Sequence, residues 1–158
     1  MLKALTVAAI AVTSTLSVAH AQTAAVPLND SFVNQVGDYN TAAVSQIGGG
    51  NAQTTLQGQA NAPSFNNIAN TTQTANPLKG GANSSTTIQT GAGSNVSTVM
   101  QMALAGGVNT QLTVQNGFAN VASTTQIANA GILGAGAVNN KSTIMQTGSH
   151  NIATVVQK

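Results

Sequence analysis

Polar and apolar positions alternate in short runs along most of this chain, and the run over 140 to 157, NKSTIMQTGSHNIATVVQ, shows the pattern most fully. An amide stands at each end of two seven-residue segments, 140 to 146 and 151 to 157, with Gly148 between them. In an extended chain, alternation puts Asn151, Ala153, Val155 and Gln157 on one face and Ile152, Thr154 and Val156 on the other. Segments of this length, rich in Val, Ile, Thr and Ser and bounded by Gly, Asn or Pro, predict strands.

The same spacing recurs, which makes the repeat the organising feature of the chain. The template N-x5-Q-x-G-x2-N-x-A-x3-Q is met in full by Asn29, Gln35, Gly37, Asn40, Ala42 and Gln46. It is met again by Asn109, Gln115, Gly117, Asn120, Ala122 and Gln126, and by Asn140, Gln146, Gly148, Asn151, Ala153 and Gln157. Asn83, Gln89 and Gly91 open a unit with one extra turn residue before Asn95 and Gln101, and with Ser97 in the Ala place. Asn51 and Gln57 open the weakest unit, which lacks the spaced Gly and reaches Asn67, Ala69 and Gln73 after a longer turn containing Pro63. Its long turn predicts a poor rung.

Five units follow, at 29–46, 51–73, 83–101, 109–126 and 140–157, each of two strands. Pro27, Pro63 and Pro77 all fall outside the ten predicted strands, as ladder hydrogen bonding requires. All sixteen glycines fall in the predicted turns and connections, where positive φ is cheap. Stacking the units in register aligns Asn over Asn and Gln over Gln around a thin layer of Ala, Ser, Thr and Val. The expected fold is all-β, a two-sheet β-solenoid of five strand-turn-strand repeats.

Composition changes the picture in one respect: with 42% hydrophobic but only 3% aromatic residues, the chain lacks the large side chains of a globular core. There is no cysteine, so neither disulfides nor Cys-ligated metals replace that core. The net charge of +2 is spread over isolated lysines, without the basic patch that nucleic acid demands. Met1 to Ala21 has one Lys, a short apolar run and small residues at Ala19 and Ala21 around His20, the pattern of a secretory signal peptide cut after Ala21. Residues 22–28 then form an N-terminal leader before the repeat domain at 29–158.

No residue set points to catalysis, a metal or a cofactor. His150 reads as a turn residue, with no second histidine after the predicted cleavage and no cysteine to share a metal. Asp30 and Asp38 lack a pocket for paired-carboxylate chemistry. Gly48 to Gly50 is followed by neither Lys-Ser/Thr nor a helix, which excludes a phosphate loop. Tyr39 and Phe118, in corresponding turns, read as exposed turn residues.

On the Gln, Gly, Asn, Ala and final Gln positions of its three best units, the chain resembles the curlin family, the subunits of curli amyloid fibres on Gram-negative bacteria. The resemblance covers Asn29 to Gln157. Two departures stand out: the family's opening Ser is Asn in every unit, and the connection 127–139 is long. The resemblance implies a structural subunit that self-assembles into extracellular cross-β fibres for adhesion and biofilm matrix. It further implies a curli nucleator subunit and an outer-membrane curli secretion channel as partners, with the export signal in QTAAVPL, and host or abiotic surfaces as contacts. The last unit matches at every position, which favours the major subunit over the nucleator.

Physical reasoning leads to the same expectation of self-association. The chain reaches Lys158 one residue past Gln157, so no C-terminal cap is expected on the last rung. Open strand edges then template end-to-end stacking at about 4.8 Å per rung, and a free monomer with so few large apolar residues is expected to be disordered. Competing readings are a monomeric secreted β-solenoid adhesin, an ice-binding solenoid and a low-complexity linker. Mixed outward residues such as Leu112, Thr143, Val114 and Met145 weigh against ice binding, and the phased motif weighs against a linker.

Overall fold

Alternation resolves into ten strands in the computed structural model, which describes residues 28–59, 64–76, 80–129 and 138–158. The predicted signal peptide with Ala19 and Ala21, the leader up to Pro27, and Pro63 and Pro77 lie outside the described residues. The strands are β1 (Asp30–Gln35), β2 (Thr41–Ile47), β3 (Asn51–Gln57), β4 (Ile68–Ala75), β5 (Ala82–Gly93), β6 (Val96–Leu104), β7 (Val108–Phe118), β8 (Val121–Asn129), β9 (Asn139–Ser149) and β10 (Ile152–Gln157).

Odd-numbered strands form one parallel sheet in the order β1-β3-β5-β7-β9, and even-numbered strands form a second in the order β10-β8-β6-β4-β2. The result is a two-sheet β-solenoid in which each strand-turn-strand unit is one rung. Registers follow the repeat without slippage at the amides: Gln35 pairs with Gln57, Gln57 with Gln89, Gln115 with Gln146. Parallel pairing in register is what keeps the same residue type in a column, because the next strand arrives in the same direction after one complete coil.

The second unit is a complete rung, against the expectation from its long turn. β3 pairs with β5 along its whole length and with β1 over Ala52–Gln57, and β4 pairs with β6 along its whole length and with β2 over Ile68–Thr74. The inserted segment leaves at Gly58 and rejoins at Ser64, whose N–H donates to the Val36 carbonyl at 3.1 Å. Ser64 is buried, and the stacked column is preserved there.

Strands also run further than seven residues, and Gly91, Gly93, Gly117 and Gly148 lie inside β5, β7 and β9, not in separate turns as expected. Glycine stacks there on glycine, Gly117 on Gly148, and the ladder continues round the bend. Their φ values of +94° at Gly91, +136° at Gly117 and +98° at Gly148 keep them in backbone space that other residues rarely adopt. The residue before each turn amide repeats the device without glycine: Tyr39, Asn66, Ser94, Ala119 and His150 all have φ between 53° and 59°.

Between the sheets, inward positions alternate in a way that the repeat template does not specify. Ser31, Gln53, Ser85, Gln111 and Ser142 form one column in the first sheet. Val44, Thr71, Val99, Thr124 and Val155 form the corresponding column in the second. Odd rungs thus carry Ser with Val, and even rungs carry Gln with Thr. Ser31 Oγ donates to Gln53 at 3.1 Å, and Ser85 pairs with Gln111 at 2.9 Å. Both glutamines also bond the threonine two residues on, Gln53 to Thr55 and Gln111 to Thr113. The layer therefore holds more than the expected Ala, Ser, Thr and Val.

Candidate functional site

All twenty amides of the repeat template face inward, and they form four columns. In the first sheet Gln35, Gln57, Gln89, Gln115 and Gln146 are joined Nε2 to Oε1 at 2.6, 2.8, 2.9 and 2.8 Å. In the second, Gln46, Gln73, Gln101, Gln126 and Gln157 are joined at 2.9, 2.8, 2.8 and 2.7 Å. The remaining Nε2 hydrogen crosses to a backbone carbonyl of the other strand in the coil, as from Gln73 to Ala52 at 2.9 Å and Gln101 to Ser84 at 2.9 Å. Every glutamine of the two columns but Gln35 therefore binds rung to rung and sheet to sheet at once.

The asparagine columns run with the opposite polarity. Asn51, Asn83, Asn109 and Asn140 each donate Nδ2 back to the Oδ1 of the preceding rung, starting at Asn29, at 3.0, 2.8, 2.9 and 3.1 Å. Asn95, Asn120 and Asn151 do the same in the second sheet at 3.1, 3.0 and 2.9 Å. Asn67 joins this column through its backbone N–H, which donates to Asn40 Oδ1 at 3.1 Å. Its Nδ2 is buried without a partner among the described residues, whereas Asn40 and Asn151 donate to the carbonyls of Val36 and Thr147.

Interior amides such as Gln57, Gln73, Gln89, Asn109 and Gln126 are 0% exposed. At that depth an unpaired amide costs on the order of 1–3 kcal/mol, so ladder pairing is what makes a polar interior tolerable. The two ends are different. Among the described residues, β1 and β2 at one end, and β9 and β10 at the other, pair on one side only. Gln35, Gln46, Asn29 and Asn40 are half-buried, as are Asn140, Asn151 and Gln157. No donor within the described residues reaches Gln35 Oε1 or Gln46 Oε1 at the first rung, nor Asn140 Oδ1 or Asn151 Oδ1 at the fifth.

These end rungs are apolar at the middle inward position of both strands. Val33 and Val44 in rung one, and Ile144 and Val155 in rung five, occupy columns that carry Thr55, Thr87 and Thr113, or alternate Thr71, Val99 and Thr124, inside. Val33, Val44 and Val155 remain half-exposed. In the turns, Phe118 meets His150 edge-on with ring centroids 5.7 Å apart, so Phe118 is a contact residue as well as a partly exposed one. Tyr39, in the equivalent turn of rung one, is 83% exposed.

The sequence expectation missed the alternating Ser and Gln column, readable at 31, 53, 85, 111 and 142 once the units are aligned, and the apolar bias of the end rungs, readable at 33, 44, 144 and 155. No protein-family model, curated protein or solved structure matches the chain.

Proposed function

We propose that this chain is a curlin-type structural subunit, exported across the outer membrane, that polymerises end to end into an extracellular cross-β fibre serving adhesion and the biofilm matrix. The observation that carries the reading is the pair of end rungs, each with two open strand edges and amide columns that stop on unpaired atoms. A second copy placed one strand spacing beyond β9 and β10 continues every backbone ladder and every amide column. It also covers Val33, Val44 and Val155, and apolar area removed from water stabilises by about 25 cal/mol per Å². Low charge leaves little repulsion to oppose stacking. A nucleator subunit and an outer-membrane channel are the partners this role requires.

Thioflavin fluorescence on the purified chain from Gln22 tests this directly. The expected result is a lag followed by growth, with the lag abolished by preformed fibres; a soluble β-rich monomer that stays so would sink the reading in favour of a monomeric adhesin. Tyr39 gives a label-free second measurement, because it is the one tyrosine in a chain without tryptophan. In a continued stack it lies over His150, so acrylamide quenching of its fluorescence should fall by about half or more on assembly, as burial of an exposed ring demands. Fibres in which Tyr39 stays fully quenchable would show that rung one is not at the junction.

A further inference from the structure

Charge is distributed along the solenoid axis in a way that the repeat does not require. Among the described residues both acidic groups, Asp30 and Asp38, belong to rung one, and both lysines, Lys141 and Lys158, belong to rung five. Lys79 lies outside the described residues. The columns make the consequence specific: Asp30, Ala52, Ser84, Thr110 and Lys141 are successive partners on the outer face of the first sheet. One more step in the same register sets Asp30 of a next copy directly beside Lys141.

We infer that subunits join only head to tail, rung five to rung one, and that an exposed Lys141–Asp30 pair across each junction selects this polarity. The inference rests on the polymerising role proposed above. Two further features agree with it. At rung five, Gln146 and Gln157 Nε2 donate to the Val121 and Lys141 carbonyls but have no next-rung Oε1 among the described residues, while rung one carries Gln35 and Gln46 Oε1 without a donor, so the column direction matches end to end. Ser142 is 4% exposed and its Oγ has no partner among the described residues. Its column continues to Ser31 of the next copy, whose hydroxyl can satisfy it. A junction between like ends instead gathers the two lysines with their copies, or the two aspartates with theirs, and like charges one strand spacing apart oppose docking.

An exposed pair is weak and screened, which suits selection better than strength. The experiment compares seeded elongation at low salt for Asp30→Lys, Lys141→Asp and the double variant. Each single variant puts like charges at every junction and should slow elongation by about three- to tenfold, an effect that shrinks in molar salt. The double variant, and an equimolar mixture of the two single variants, should both recover the parent rate, because every junction again joins Lys to Asp. Single variants that grow at the parent rate, or a double variant that fails to recover, would overturn the inference. Failure of the polymerising role is distinguishable: it appears in the unsubstituted chain, as the absence of any seeded growth.

Discussion

Gly117→Ala is expected to reduce fibre growth by more than about tenfold, and Gly148→Ala to do so only where one molecule meets the next, because at both positions φ is positive. A Cβ on Gly117 would overlap the Gly148 carbonyl of the rung above, within the same chain. Backbone cannot yield there without breaking β7 from β9. A Cβ on Gly148 meets nothing closer than Asn151 Nδ2 at 3.8 Å, since no rung of the described residues covers it. In a stacked fibre, however, Gly37 of the next copy occupies that place, as Gly148 does above Gly117. Alanine at 148 therefore permits the five rungs to close and prevents a further copy from docking, at a conformational cost of about 1–3 kcal/mol before the overlap is counted.

The measurement is seeded growth of the parent chain with each variant added. Gly148→Ala should act at substoichiometric amounts as a terminator: it adds once through its intact first rung and leaves a fifth rung that accepts nothing. Gly117→Ala should be inert in the mixture, because it does not form the stack at all. If both variants are equally inert, or both polymerise as the parent does, glycine columns do not pass through the junction.

That contrast depends on how turns are built, which is where sequence and structure part. Faces, columns and the two-strand unit are legible because a period of two and an amide every fixed interval leave one consistent register. The site residues are legible for the same reason: Asn and Gln at inward positions are intolerable unless copies stack. Turn geometry is not encoded so regularly. Nothing in the identity of Ala119 or His150 announces a positive φ; the ladder on either side imposes it, His150 N–H donating to Phe118 at 2.9 Å and Ala119 N–H to Gly93 at 3.1 Å. Ser64 likewise takes a column place that the template reserves for glycine, and it does so because the inserted loop must close where the stack resumes. Propensity was overridden there by parallel neighbours.

Hydrogen-bond direction is a second property that composition leaves open. An amide ladder can run either way along the axis, and the glutamine and asparagine columns run oppositely. Their joint effect is that both ends carry donors and acceptors, so that neither end is a purely accepting or donating surface. Polarity then has to come from something else as well, and the segregated aspartates and lysines supply it.

Removing one interior amide is expected to destabilise the fibre more than any outward-facing substitution. Gln89 accepts from Gln57 at 2.8 Å, and its Nε2 donates to Gln115 at 2.9 Å and to the carbonyls of Ile68 and Asn95 at 3.0 Å each. Gln89→Ala leaves Gln115 Oε1 without its donor and Gln57 Nε2 with only the Thr41 carbonyl, and it takes one donor from each of the two carbonyls, in a site that is 0% exposed. With about 1–3 kcal/mol for each orphaned group and a cavity besides, the loss should reach about 3–5 kcal/mol per subunit. Gln89→Met refills the volume and restores none of the bonds, so it should regain only the cavity part. Ile88, one residue away and half-buried on the outer face, should cost about 1 kcal/mol as Ile88→Ala. The readout is the guanidinium midpoint for dissolving preformed fibres, with alanine lowest, methionine between, and Ile88→Ala near the parent. Should Gln89→Met match the parent, packing alone would hold the rungs together and the ladders would be incidental to it.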